Sequence, residues 1–573
     1  MMKKILNVVV KLIIIALFFV IIFAAFKLAP NYMKSDLDGK TNLIINYTNV
    51  TNKMKQELII DEKGVIYLSM NDIMNYYDKH IYYDEQYKQI VTASENKLAI
   101  LKLNDKNVEI NGAKKAIKGA VFQKDGIYYI PISEIEEVYN LKISKIEERI
   151  VLESLDKKLI VANVNKKTNL KYKPTVLSRT IEKIDSNEKI SIAEVGENTI
   201  PTGWIKVRTQ NGNIGYIQEK NITEKKVERQ EKIYFEKPEE KISLVWEYFS
   251  EYVKAPDNTN IKYDGVNVVS PSFFYMKLNN TEKEQLSKQD VIEQAKILEN
   301  IGEEGINYIK WAKDNGYEVW PKVSNDTLST TIDEFSIIIN DYELRSMLIE
   351  DIKRYAKQYD LDGINLDFEF MYKKDKDAFS KFVIELAPQL REMGVCLSVD
   401  VTAPDGSDNW SLCYDRNVLG EVADYIVFMG YDQYGTNTIG TTAGYSWVKN
   451  SVNKFLKQAE VPAEKLILAL PFYTKIWKTK GDVVVGSNAI GMNNVNAQIP
   501  NNVEKQWKED LQQYYIQYDM AGYTYKMWIE DEKSISAKCD LVNKYNLAGA
   551  AYWEKGQEKE EVWDVISEKI NVK

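Results

Sequence analysis

The sequence predicts a multidomain chain that ends in a (β/α)8 TIM barrel with a small α+β insertion, preceded by a small β-barrel and an α+β stalk-like domain. Three observations predict it. The chain has 573 residues, more than one hydrophobic core supports. From Lys241 onward, apolar strand-like runs alternate with amphipathic helical stretches, the pattern of parallel sheets. Before Lys241 the runs are shorter and punctuated by Gly and Asn turn signals, the pattern of small β-rich units.

The N-terminus, residues 1–28, predicts a membrane anchor or signal peptide. Lys3 and Lys4 precede an unbroken apolar run, Leu12–Phe26, and about 20 apolar residues span a bilayer. The basic start predicts an inside N-terminus. Ala24 and Ala25 offer small residues for cleavage, so processing is the competing expectation. Either way the remaining domains are expected at the cell surface or secreted. Residues 29–44 are polar and predict a tether.

Residues 43–162 contain two similar pieces, Gly64–Met74 and Gly126–Val138, each a strand hairpin followed by a short helix. This region resembles the N-terminal domain of copper amine oxidases, a stalk-like unit of Gram-positive surface proteins. No copper site follows, because ligand histidines are absent. Residues 163–224 contain GWIKVRTQNGNIGYI, whose Asn211-Gly212-Asn213 turn signals a hairpin. They resemble a bacterial Src-homology-3-like domain, and the resemblance implies a cell-wall partner; a spacer that binds nothing is the alternative. Residues 222–240 are rich in Lys and Glu and predict a linker.

Residues 241–573 carry eight apolar runs: ISLVWEYF, GVNVVSPSFFYM, YEVWPKVS, DGINLDFEF, GVCLSVDVT, YIVFMGYD, LILALPFY and LAGAAYWE. Helical patterns intervene, and 474–538 is long enough for an α+β insertion. The fourth run is the most informative. Read as a strand, LDGINLDFEF places Gly363, Asn365, Asp367 and Glu369 on one face and Ile364, Leu366, Phe368 and Phe370 on the other. A strand of a parallel sheet should be apolar on both faces, so the acidic face is expected to line a functional cavity. Asp367 and Glu369 would lie about 6–7 Å apart along the strand, close enough to affect each other's protonation.

Composition excludes other chemistries. The single histidine, His80, lies far from this run, which leaves no His-based nucleophile relay and no His-rich zinc site. Cys396, Cys413 and Cys539 are an odd, dispersed set, read as buried thiols rather than a disulfide framework. A net charge of −9 without a basic stripe predicts no nucleic-acid partner. Carboxylate acid–base work remains.

The DGINLDFE run resembles the active-site motif DGxDxDxE of family 18 glycoside hydrolases, the chitinase and endo-N-acetylglucosaminidase group. It departs once: Asn365 stands where an Asp is usual, as in some bacterial cell-wall and spore-associated members. SPSFFY, MGYDQY, LPFY, MWIEDEKS and AYWEKG extend the resemblance. Thr474 and Lys475 depart from the usual Gly and Arg of the seventh strand.

The resemblance implies a retaining, substrate-assisted reaction, a known exception to the two-carboxylate scheme. Glu369 is the implied general acid. Asp367 is implied to hold the substrate's acetamido N–H, and Tyr431 its oxygen. Asp362, Asn365, Met429, Asp432, Tyr473, Trp528 and Trp553 are implied substrate-binding or supporting residues. Trp553 is implied as the floor beneath the reacting sugar. No cofactor and no metal are required. The expected substrate is peptidoglycan or a chitin-like glycan, cut at β-1,4 linkages after N-acetylglucosamine. The alternatives are a non-catalytic glycan-binding surface protein on the same barrel, and a mainly structural envelope protein.

Overall fold

The computed structural model describes residues 2–32, 39–194, 200–234, 238–249, 263–277, 288–325, 327, 330–435, 438–501 and 503–570. It divides into two compact units, Met1–Ile233 and Tyr234–Lys573.

In the first unit, Met2–Tyr32 form one helix, with apolar side chains exposed from Val9 to Phe23. Among the described residues no helix is long and apolar enough to cross a membrane. Part of the expected tether, 33–38, lies outside the described residues, as do 235–237 of the expected linker. The two repeated pieces form hairpins, Ile59–Ile60 with Ile66–Ser69 and Phe122–Lys124 with Ile127–Ile130. Gly64 and Gly126 turn them at φ +79°, a conformation that costs glycine little. Their inner strands pair antiparallel, so the sequence repeat is also a structural one.

The second module is a seven-stranded antiparallel sheet rather than a demonstrated closed barrel. It is wider than 163–224. Leu159–Asn163 pairs with both Lys189–Ile192 and Lys226–Arg229. The segment 226–229 read as linker because it is a charged, largely exposed edge strand. Glu153 meets Arg208 and Arg229, tying this module to the preceding domain.

The second unit is built on eight parallel barrel strands. In order they are Ile242–Glu247, Val268–Pro271 continuing as Phe274–Lys277, Glu318–Val319 continuing as Lys322–Ser324, Gly363–Asp367, Cys396–Val401, Tyr425–Met429, Leu466–Pro471 and Gly549–Trp553. Each pairs with the next, and the eighth pairs with the first, closing the ring. Inward and outward residues alternate as the pleat requires. The outward set, including Ile364, Leu366 and Phe368, packs under the helices. The inward set, including Trp246, Trp320, Tyr425 and Ala551, fills the barrel. Gly363 is an inward position that must lack a side chain, because a Cβ there would lie 2.5 Å from the Trp320 ring.

The insertion after the seventh strand is a five-stranded antiparallel sheet with one 3-10 segment, Met492–Gln498. The helix expected within 474–538 is Glu532–Lys544, which belongs to the barrel: its Cys539 and Leu541 share the core beneath the strands. Glu530 anchors the junction, accepting from Gln513, Ser534 and the buried Lys538.

Candidate active site

The fourth strand ends at Asp367, so Glu369 is not on the strand as the alternation predicts but two residues past its end. The inward–outward alternation holds through Phe368. Phe370 departs from it: at φ +53° it turns out, half exposed, against Trp410. Two clamps fix this exit. Tyr414 donates to the Phe368 carbonyl (2.8 Å). Asn325, buried just beyond the third strand, donates to the Glu369 carbonyl (2.7 Å) and accepts from its N–H (3.1 Å). Glu369 is thereby held at the C-terminal rim, where barrel enzymes place their chemistry.

Burial, followed by the charge of Asp367, pushes the Glu369 carboxyl well above the usual carboxylate range, with Lys322 opposing. This upward shift favours the protonated form that a proton donor needs. Asp367 is buried; its Oδ2 accepts from Lys322 Nζ at 2.9 Å. Among the described residues Asp367 Oδ1 is buried with no hydrogen-bond partner.

Asn365 lies one inward position below. Its Nδ2 donates to Asp400 Oδ1 (2.6 Å) and Ser398 Oγ (3.0 Å), and its Oδ1 accepts from Trp246 Nε1 (2.7 Å). Burial, then the charge of Asp367, holds the Asp400 carboxyl well above its usual range, against the Asn365 hydrogen bond and Lys322.

The sixth and seventh strands complete the rim. Met429 ends the sixth strand, buried. Tyr431 follows; burial first, then Tyr473 and the three carboxyls Asp400, Asp367 and Glu369, keep its phenol protonated. Tyr473 donates to Asp432 Oδ1 (2.6 Å), and Lys475 pairs with the same carboxylate (2.7 Å). Thus the lysine in place of the usual arginine still engages the rim. Trp553 ends the eighth strand, packed against Trp246 with Lys322 Nζ 5.1 Å from its ring centroid.

Two expected site residues are not gathered here. Asp362 precedes the strand at its opposite end, where it accepts from the Val319 N–H (2.9 Å) and lies 3.6 Å from Lys313. Its part is structural, and the correction follows from strand direction: five residues of strand separate it from Asp367 by roughly 16 Å. Trp528 stands on the insertion, its ring tilted 44° against Tyr515 at 4.9 Å between centroids.

Lys322, Asp400 and Asn325 were missed. The first two carry the signal used on the fourth strand. In WPKVS, Lys322 shares a face with Trp320, and in LSVDV, Asp400 shares a face with Ser398; a charged residue inside a parallel strand needs an inward reason. Asn325 lies in a loop, where no periodicity marks it. The three cysteines are free and buried, as expected.

A closed barrel with a carboxyl shifted toward its protonated form beside an ion-paired carboxylate at its C-terminal rim is the equipment of a glycosidase that works by acid catalysis. The chain belongs to the glycosyl hydrolases family 18, whose model matches residues 244–558; it is a glycoside hydrolase acting on O-glycosyl bonds. Residues 44–154 match the copper amine oxidase N-terminal domain.

Among curated proteins, the chain is 26% identical over 279 residues to the Bacillus subtilis (strain 168) protein named uncharacterized glycosylase YvbX, covering 46% of this chain and 79% of that one. It is 26% identical over 244 residues to the cortical fragment-lytic enzyme of the same organism, covering 41% of this chain and 56% of that one. It is 25% identical over 276 residues to human di-N-acetylchitobiase, covering 40% and 70%. Among solved structures, a chitinase from Chromobacterium violaceum ATCC 12472 has TM-score 0.49 and 21% identity, covering 58% of this chain and all of that one. The spore cortex-lytic enzyme SleL of Bacillus megaterium QM B1551 has TM-score 0.48 and 20% identity, covering 62% and 77%.

Proposed function

We propose that the protein is a retaining, substrate-assisted glycosidase that cleaves β-1,4 linkages after N-acetylglucosamine in peptidoglycan at the cell surface. The observation that carries this is Glu369, shifted toward its protonated form by burial and the charge of Asp367, next to Asp367, whose Oδ1 is buried without a hydrogen-bond partner among the described residues. Glu369 protonates the leaving oxygen. The 2-acetamido oxygen attacks the anomeric carbon from the other side, and the C–O bond to the leaving sugar breaks. Asp367 Oδ1 takes the acetamido N–H and offsets the positive charge of the oxazolinium. Tyr431 donates to the acetamido oxygen, and Trp553 floors the reacting sugar. Water activated by Glu369, now a base, then opens the oxazolinium with net retention.

Peptidoglycan is favoured over chitin because the barrel follows two small envelope-type modules. The module at 159–229 is assigned to wall attachment, and the helix Met2–Tyr32, with its exposed apolar side chains, to holding the chain at the membrane. Digestion of purified peptidoglycan and of chitin oligosaccharides tests the substrate. Mass spectrometry should find muropeptides ending in reducing N-acetylglucosamine, and proton NMR should find the β anomer first. Products ending in reducing muramic acid, or a first-formed α anomer, would overturn the scheme. Glycan binding without release of any product would leave a binding protein.

A further inference from the structure

Lys322 is an inward lysine on the third strand, and nothing in the acid–base scheme requires it. Its Nζ reaches Asp367 Oδ2 at 2.9 Å, with Asp367 buried and Lys322 partly buried, and rides over the Trp553 ring. Asn365 cannot do the same work. Its amide is committed to Asp400 and Ser398, and its carbonyl to Trp246.

We propose that Lys322 is a positioning residue for the reaction: by holding Asp367 Oδ2 it fixes the carboxylate so that Oδ1 is the oxygen presented to the substrate. The inference rests on the glycosidase function proposed above. The geometry separates the two oxygens. One is tied to the Lys322 ammonium, and the other has no hydrogen-bond partner among the described residues. An ammonium also offsets the charge of the buried Asp367 carboxylate, which burial makes costly.

The ionisable groups facing Lys322 are Asp367 and Glu369 from the fourth strand and Asp400 from the fifth. Glu554, beyond the eighth strand, also feels its charge. The balance is favourable to the ammonium: burial opposes the charge, but the carboxyls outweigh it and the lysine stays protonated. Lys322 in turn lowers the proton affinity of Glu369. Its removal has two separable consequences, misplacement of Asp367 and tighter proton holding by Glu369.

The test is the pH dependence of kcat and KM for Lys322→Met and Lys322→Arg on short N-acetylglucosamine oligosaccharides, with a thiazoline inhibitor titrated by calorimetry. In K322M, kcat should fall about 10–100-fold, within the range of a misplaced catalytic contact, while KM changes little. The alkaline limb should move up in pH, because the general acid loses a neighbouring cation. Thiazoline affinity should fall in parallel with kcat. K322R, which keeps the charge, should leave the limb in place and recover part of kcat. Unchanged kcat and superimposable alkaline limbs in K322M would overturn the role of Lys322 while leaving the glycosidase intact. A wild-type protein that releases no product would instead sink the proposed function. Should K322M fail to fold, Lys322→Gln carries the same two readouts.

Discussion

The contact between Asn365 and Asp400 can be tested by exchanging its partners. Asn365→Asp replaces the amide donor, 2.6 Å from Asp400 Oδ1, with a carboxyl oxygen. Two carboxylates about 3 Å apart would repel by about 5–6 kcal/mol at an effective dielectric near 20. The pair will therefore retain a proton. The unfolded chain gives up that proton above about pH 4, so the variant's stability should fall as pH rises. The raised Asp400 carboxyl already gives the wild type the same slope, so with the lost hydrogen bond to Ser398 (3.0 Å) the cost relative to wild type should be about 2–3 kcal/mol at pH 5 and pH 8 alike.

Asp400→Asn behaves in the opposite way. Burial already holds the Asp400 carboxyl well above its usual range, so the neutral amide stands in for the protonated acid and still accepts from Asn365. The wild-type chain loses stability as pH climbs above the unfolded aspartate value, because only the folded state keeps that proton; D400N should lack this loss and gain on wild type toward pH 8. In the double variant the amide stands at 400 and the carboxyl at 365, so the hydrogen bond re-forms with its direction reversed. Urea unfolding of the four forms at pH 5 and pH 8, followed on the barrel's tryptophans, should give a favourable coupling of about 1–3 kcal/mol at pH 8. A double variant no more stable than N365D would refute the reasoning.

Three further outcomes follow. Glu369→Gln should lower turnover by about 10²–10⁴ on substrates with poor leaving groups, with thermal stability unchanged or raised, since burial and Asp367 already disfavour the charged acid; near wild-type turnover on such a substrate would remove Glu369 as the acid. Glu530→Ala leaves the Lys538 ammonium buried without its partner and should destabilise the barrel by about 3–5 kcal/mol in denaturant titrations, whereas a loss under about 1 kcal/mol would mean the site rehydrates. Deleting 159–229 should weaken retention on intact sacculi while sparing hydrolysis of short soluble oligosaccharides, and unchanged retention would make the module a spacer.

The barrel was legible because its strands are apolar on both faces, which makes each exception visible. Asp367 and Asn365 were found by that rule, and Lys322 and Asp400 were missable only because their runs carry one exception each rather than several. Asp362 was misplaced for a different reason. A motif written in one dimension counts it among the acids, yet strand direction puts it at the wrong end, where it accepts from the Val319 N–H. The module boundary at 159 and the strand 226–229 were hidden because edge strands rich in Lys and Glu have the composition of linkers. Asn325 had no sequence signal, since its contact with Glu369 joins two loops 44 residues apart.

The interior of the barrel explains how one strand can carry this much polarity. At the N-terminal end the inward layer is apolar and tight, with Trp320 stacked on Tyr425 and Gly363 making room for the ring. In the middle layer Asn365 is completely buried, yet its carbonyl and both amide hydrogens have partners on the first and fifth strands. A buried amide costs little when every polar atom is satisfied. At the C-terminal layer the satisfaction is deliberately incomplete. Asp367 has one oxygen paired with Lys322 and one without a hydrogen-bond partner among the described residues. Polarity therefore rises along the barrel axis, and the unmet hydrogen bond falls where a substrate N–H can meet it. Asn at 365 serves this grading better than a second Asp would. A carboxyl there would need its own proton or counter-charge and would compete for Lys322. The amide instead ties the layer to Asp400 and leaves the ammonium to Asp367.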